Sequence, residues 1–569
     1  MDRNHLRILM QLSTALLLAF TSACSSDDSE TPFGNDTGGV GSRPGTGGDS
    51  NPGVGGAGSH SPITGGTGPV TGGTGPVTGG TGPITGGTAP ITGGTAPVTG
   101  GSSPITGGTG PATGGRRPVT GGSGPGTGGA LPGTGGAGVV TSNFPVDVEV
   151  STAIPTVGIA TWSLDAQIDS ATIAFGRDQS NFEYEAPVDL GAPNHRTLLL
   201  GMKQNTTYYV RVTVNSGGQA YQSQVATVTT GYLANGQPIQ TITDTNPGAL
   251  YAGGGFSTAC TGYTSGGLGF PGGGLPTSNV AWIFDRDGDV VWSYDLSETV
   301  VAQCTRARMS IDGKYMWFGN FGNTTPDGAL MRIPMDGLGT PDEYSMPGRS
   351  HDFAILPDDH VVYFGRDDGG SGMTPESIYE LDPATGATTL IYSQLTDFGD
   401  VFDDQGGHTN QVNYVPELNA IAFSMYFINT IALISYPGGQ LVAAFGGDKS
   451  TFSNMSWNGQ HGHDVYADHI DIFNNNGTNG GATVLRFDFD LQGKTATELP
   501  GYSAGVASPA FGDVKEQPNG NFFVTYSTAS VMHEIDASMN LLRTVETTVT
   551  LGYVEHRGSL YGKPPPYGP

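Results

Sequence analysis

Three short histidine motifs lie within about a fifth of the chain: Ser350-His351-Asp352-Phe353, Gly407-His408-Thr409-Asn410 and Gly459-Gln460-His461-Gly462-His463. The chain has only 11 histidines, so four beside polar or glycine steps is not an effect of composition. Imidazole titrates near neutral pH, and its neutral form is a nucleophile. Such motifs on separate strands predict a convergent site for acid–base or covalent chemistry. For any one of them the plain alternative is a ring satisfied by a backbone carbonyl. For four beside Asp352, Asn410 and Gln460 that alternative weakens.

The elements that must position these residues read as β throughout. Ile283–Trp292 is a strand, an Asp-Gly turn and a second strand ending in tryptophan. Related hairpins recur at Ser310–Trp317, Ala354–Phe364, Tyr414–Phe423 and Lys515–Val524. Turn residues inside units of about 40–60 residues are what propeller blades require. The expected fold is all-β, with a six-bladed β-propeller over 240–569. A propeller gathers its inner strands around one channel, so distant motifs can meet there. Asp285-Arg286-Asp287-Gly288-Asp289 opens like a calcium loop, but the twelfth position is Leu296, not the bidentate Glu required. It reads as a hairpin turn.

Residues 144–232 form a separate unit of short alternating strands. Met202–Val212 resembles the E–F corner of a fibronectin type III sandwich, with Tyr208 as the tyrosine whose hydroxyl bonds back to the preceding turn. Before it, over 24–143, the triplet Thr-Gly-Gly returns every seven residues from Thr64 to Thr134, eleven times. Glycine and proline in each period forbid a helix, and little apolar surface is present. This predicts a disordered Gly/Pro/Thr linker, a tether reaching roughly 60 Å at about 5–6 Å × √n.

The chain starts with Arg3, Arg7 and an apolar run from Ile8 to Phe20, too short to span a bilayer. Thr21-Ser22-Ala23-Cys24 follows, then Ser25-Ser26-Asp27-Asp28. Residues 1–23 read as a signal peptide and Cys24 as a lipidation site, giving an exported protein held at the cell envelope, in the periplasm or at the outer surface. The other two cysteines, Cys260 and Cys304, predict a disulfide in that oxidising location. A net charge of −28, from 51 acidic and 23 basic residues, argues against nucleic acid as a partner. Oligomeric state has no sequence signal.

From about 240 onward the sequence resembles the bacterial arylsulfotransferases, six-bladed propeller enzymes of the periplasm. The resemblance rests on His351-Asp352, on His408-x-Asn410 followed by Tyr414-x-Pro416-Glu417, and on Gly446-Gly447. It continues through Gln460-His461, Ile472-Phe473-Asn474-Asn475-Asn476-Gly477 and Ser508-Pro509. It implies transfer of a sulfuryl group from an aryl sulfate to a phenol without PAPS, cofactor or metal. His461 would be the nucleophile that becomes N-sulfated. His408 and Asn410 would hold the sulfuryl oxygens, and His351 would act as acid or base on the phenolic oxygen. Tyr426, Gln460 and His463 complete the expected substrate-binding set. The family's arginine in a Ser-x-Arg step is replaced here, in Ser424-Met425-Tyr426. Arg349, Arg366 and Lys449 are the candidates to supply the missing cation. The alternative from another class is a non-catalytic surface propeller that binds a phenolic, sulfated or glycan ligand. A metal-dependent hydrolase using the same histidines with Asp352 ranks behind both.

Overall fold

The structure is a computed structural model that describes residues 144–235, 238–250, 256–260, 279–301, 304–320, 328–346, 348–366, 375–402, 406–477 and 480–562, together with the backbone of short runs between 63 and 141. The leader and Cys24 lie outside the described residues.

In the heptad repeats, alternate runs pair in parallel and in register. Ile63–Gly66 lies beside Val77–Gly80, and Val70–Gly73 beside Ile84–Gly87. The expected Gly/Pro/Thr linker thus carries backbone pairing in these runs. A strict period lets identical Ile/Val-Thr-Gly-Gly runs stack on one another, and glycine and proline bar only the helix.

Residues 144–229 fold as two antiparallel sheets face to face. One holds Val146–Val150, Gly158–Trp162 and Thr197–Leu199; the other is built on Ser170–Gly176, Tyr184–Pro187, Thr207–Ser216, Gln219–Gln222 and Ala226–Thr229. The long strand Thr207–Ser216 alternates apolar residues inward, so Tyr208, Val210, Val212 and Val214 are fully buried. They pack with Trp162, Ile173, Phe175 and Met202. The Tyr208 hydroxyl accepts the Lys203 N–H at 2.9 Å, closing the corner turn as expected.

The remainder is propeller-like: six antiparallel sheets of four or five strands follow one another along the described chain. The first pairs Phe256–Cys260, Val280–Asp285 and Val290–Asp295 with Glu555–Arg557 from the other end of the chain. The second runs from Cys304–Met309, the third from Arg349–Ile355, the fourth from Thr409–Val415, and the fifth from Gln460–Val465. The sixth takes Asp513–Glu516, Phe522–Tyr526, Val531–Ile535 and Leu541–Thr547, and adds Ile239–Asp244 at its edge. Two sheets are therefore completed by strands from opposite ends of the domain. Cys260 and Cys304 form the expected disulfide, which ties the first sheet to the second.

The sandwich packs on the first two propeller sheets. Ile154, Val157 and Leu200 share a core with Trp292 and Met335. Lys203 Nζ lies 3.3, 2.5 and 2.6 Å from Asp285, Asp287 and Asp289. The acidic turn is a hairpin, as expected, and the sandwich's own ammonium fills the space among its carboxylates.

Candidate functional site

The innermost strands of the third, fourth and fifth sheets share one irregularity. Their ladders slip between Ser350 and Phe353, between Thr409 and Val412, and between Gln460 and His463. Each slip leaves two residues out of the pairing, and a bulge of this kind re-aims side chains. The first of each pair is His351, Asn410 or His461. The second is Asp352, Gln411 or Gly462. His408 enters from just before its strand. His351 and His408 both adopt left-handed backbone, with φ of 42° and 51°. A β-carbon makes that conformation unfavourable, and such strain persists only where the surroundings impose it.

The three histidines converge. His351 and His408 meet edge to face with ring centroids 4.8 Å apart. Tyr426 stands 5.7 Å from His408 and 5.3 Å from His461, bridging the two. Phe427 packs 4.8 Å from His408, and Phe511 closes the other side of His461 at 6.3 Å. His351 and His461 are 3 % and 8 % exposed, whereas His408, Tyr426 and Phe427 are half-buried. The site thus has a deep wall and an accessible one.

Hydrogen bonds fix the tautomer of His461. Both Nδ2 protons of Asn475 are taken by the carbonyls of Ser508 and Phe511, at 2.6 and 2.7 Å. The Asn475 Oδ1 must then be the atom facing His461 Nδ1, at 2.8 Å, and it can only accept. Nδ1 therefore carries the proton, and the lone pair lies on Nε2. His351 is held by similar logic. Its Nδ1 lies 3.2 Å from Ser350 Oγ, whose own proton goes to the buried carboxylate of Glu376. That carboxylate also accepts from the Thr409 N–H, at 3.0 Å, and from the Thr409 hydroxyl. The lone pair of His351 is again on Nε2.

All three rings are kept neutral. Burial pushes His461 down to about 3, with Asn475 opposing and His408 adding to the effect. Burial and then the charge of Arg366 push His408 down to about 4. His351 is held well below the usual imidazole value by burial, then by His408 and Arg366. Neutral imidazole is the form able to attack or to accept a proton.

Of the candidate cations, Arg366 is the one whose field reaches two of the histidines. It ends the second strand of the third sheet, with its NH2 3.8 Å from Glu376. Arg349 is buried and turned to the carbonyl of Asn320. Lys449 pairs with Asp400 at 2.7 Å in an exposed contact.

Several expected ligand residues are engaged elsewhere. Gln460, expected to bind substrate, is saturated. Its Nε2 donates to the carbonyls of Met425 and Thr430, at 3.0 and 3.1 Å, and its Oε1 accepts from Trp457 Nε1 at 3.0 Å. It shapes the wall and has no proton left for a ligand. Asn410 gives one Nδ2 proton to the Gln460 carbonyl at 3.3 Å, which leaves one. His463, expected in the binding set, is fully buried one pleat further on, with the Ala422 backbone against its ring. Asp352 does not face His351. Its carboxylate takes Arg306 at 2.9 and 3.1 Å in a wholly buried pair. Conversely, the sequence reading assigned no role to Ser350, Glu376 and Asn475. Asn475 stood inside a quoted motif, but only the tertiary contact with His461 gives it one.

No family model and no curated protein matches the chain. Among solved structures it is similar to a streptogramin B lyase, at 12% identity over 56% of this chain and 98% of that one, with a TM-score of 0.35. It is also similar to the periplasmic gluconolactonase PpgL of Pseudomonas aeruginosa, at 14% identity over 50% and 82% of the two chains, with a TM-score of 0.35. A third is virginiamycin B lyase of Staphylococcus aureus, at 14% identity over 54% and 87%, with a TM-score of 0.32. Likeness at this level carries no argument about chemistry.

Proposed function

We propose that this chain is a PAPS-independent aryl-sulfate sulfotransferase of the arylsulfotransferase kind, built on a closed six-bladed propeller with a fibronectin III-like module before it. Residues 1–23 are read as an export signal, Cys24 as a lipid anchor and the heptad repeats as the spacer from the envelope. The observation that carries the reading is the Asn475–His461 contact, which leaves a lone pair on Nε2 beside two further neutral imidazoles.

In the first half-reaction His461 Nε2 attacks sulfur; an N–S bond forms, the S–O(aryl) bond breaks and the aryl oxygen leaves as phenolate. The sulfated imidazole is cationic with its Nδ1 proton in place, and Asn475 Oδ1 faces that proton. In the second half the acceptor phenol gives its proton to His351 Nε2 as its oxygen attacks sulfur; the N–S bond breaks, neutral His461 returns, and His351 passes that proton on to the released phenolate through solvent. Sulfuryl transfer, like phosphoryl transfer, depends on positioning and on charge stabilisation at the equatorial oxygens. The half-buried edge of His408, the Tyr426 hydroxyl and the remaining Asn410 proton are the groups offered for this. Arg366 supplies a positive field in place of the family arginine.

A phenolic sulfate donor should leave acid-labile sulfate on His461. His461→Asn should abolish that labelling. Asn475→Leu, which frees the ring, should slow it about 100-fold, or roughly 2.7 kcal/mol. Labelling of the His461→Asn protein at the wild-type rate would reject the assignment. Tyr426 in place of the arginine favours a second reading, a surface propeller that binds a sulfated or phenolic ligand without turning it over. Affinity for 4-nitrophenyl sulfate with no transfer to phenol would select that reading.

A further inference from the structure

At the end of the fifth sheet away from His461, a second cluster joins the fifth and sixth sheets. His469 and Asp471 are alternate residues of the strand His469–Asn474, so they share a face. Glu516 ends the inner strand Asp513–Glu516 of the sixth sheet. One ring nitrogen and two carboxylate oxygens from these residues all lie within 4.8 Å of one another.

Two features go beyond proximity. First, His469 is oriented as a metal-ligating histidine is: its Nδ1 lies 2.8 Å from Asp468 Oδ1, and its Nε2 faces Glu516 Oε2 at 3.0 Å. A carboxylate on the far ring nitrogen sets the tautomer and raises the basicity of the other nitrogen. Second, Asp471 is fully buried with one oxygen unanswered. Its Oδ1 accepts from Arg486 Nε at 2.9 Å, while its Oδ2 is buried without a hydrogen-bond partner. A buried carboxylate oxygen left alone is costly.

The geometry points to a divalent cation of the zinc class bound by His469 Nε2, Asp471 Oδ2 and Glu516 Oε2, with Asp468 orienting the ring. The local charge fits. Asp468, Asp471 and Glu516 carry three negative charges and Arg486 one positive, and Lys515 is paired with Asp464 at 2.6 Å. Two negative charges therefore remain around the His469 ring. A proton on His469 would cancel one of them and would not reach Asp471 Oδ2 as a shared ligand. A nitrogen with two oxygens suits zinc better than calcium, which takes oxygen alone. The side chains of His469 and Glu516 are 20 % and 28 % exposed, which gives an ion a way in. Such an ion would clamp two neighbouring sheets far from the sulfuryl site.

The test uses the full-length protein, stripped with a chelator and dialysed near neutral pH against zinc, manganese or calcium chloride, with bound metal measured by mass spectrometry. One zinc per chain is expected, with His469→Gln and Glu516→Gln each removing it. Asp468→Asn leaves the three ligands in place and should weaken zinc about ten- to hundredfold. That variant decides the matter if either of the others does not fold. No zinc on the wild type, equal zinc on wild type and all three variants, or calcium bound in preference to zinc would each overturn the proposal.

Discussion

The site works through what its residues cannot do. His461 cannot place its proton on Nε2, because Asn475 has no donor left to offer Nδ1. The rings cannot easily become cationic, because burial leads the causes lowering all three. A free imidazole near pH 6.5 would shut off nucleophilic attack as the pH falls through that value. Here the folded-state values lie lower, so the lone pair of His461 survives further into acid. Initial labelling of His461 should therefore stay flat down to about pH 5, with no limb near 6.5. The same shifts act on stability with a definite sign. Between the unfolded value and the lower folded ones, the unfolded chain binds the extra protons, so stability is lost as pH drops from about 6.5 toward about 4 for His408 and about 3 for His461. A rate profile that halves near pH 6.5 while the fold remains intact would contradict the neutral-site picture.

At the scale of the strand, the device is the repeated slip. In three successive sheets it removes a pair of residues from the ladder and sends the first and second of each pair in different directions. His351 and His461 thereby join the site, while Asp352 and Gln411 turn to the buried centre. In the fifth sheet the second member is Gly462, for a steric reason. A Cβ there would lie 2.5 Å from the Gly512 carbonyl and 2.6 Å from the Asp513 Cα. Gly462→Ala should force the inner strands of the fifth and sixth sheets apart. A loss of about 1–3 kcal/mol in denaturant unfolding is expected, with slower His461 labelling in the protein that stays folded. Unchanged stability and labelling would show that the sheets have slack at this point.

At the scale of the whole domain, one buried cluster links sheets distant in sequence. Arg306 of the second sheet pairs with Asp352 of the third and reaches Asp513 of the sixth at 3.4 Å. Its guanidinium lies 4.3 Å over the ring of Tyr553, whose hydroxyl donates to the Asn410 carbonyl of the fourth sheet. Gln411 Nε2 donates to both carboxylate oxygens of Asp513, each at 3.3 Å. Arg306→Met would leave Asp513 with Lys515 at 3.9 Å as its cation and Asp352 with Arg308 at 3.3 Å, so both buried carboxylates would be under-compensated. Breaking a buried pair from one side costs about 3–5 kcal/mol, and a fall of that size in unfolding free energy, read by urea titration, is expected. A change under about 1 kcal/mol would mean that water or Arg308 takes over the pairing.

The sequence by itself determined what is local. Asp-Gly turns between alternating apolar runs specify hairpins, and Tyr208 six residues after Met202 specifies the corner that Lys203 closes. The pair Cys260 and Cys304 specifies one bridge. Period and turn chemistry act between near neighbours, so they can be read along the chain. The tertiary structure decided which way the side chains point. Asp352 beside His351 in sequence faces the opposite side of the strand because of a ladder slip, and Gln460 beside His461 is consumed by the carbonyls of the preceding sheet. Asn475 becomes decisive only because carbonyls more than 30 residues away occupy its protons. Hydrogen-bond capacity is finite, and which partner claims it is settled only once distant strands are packed together.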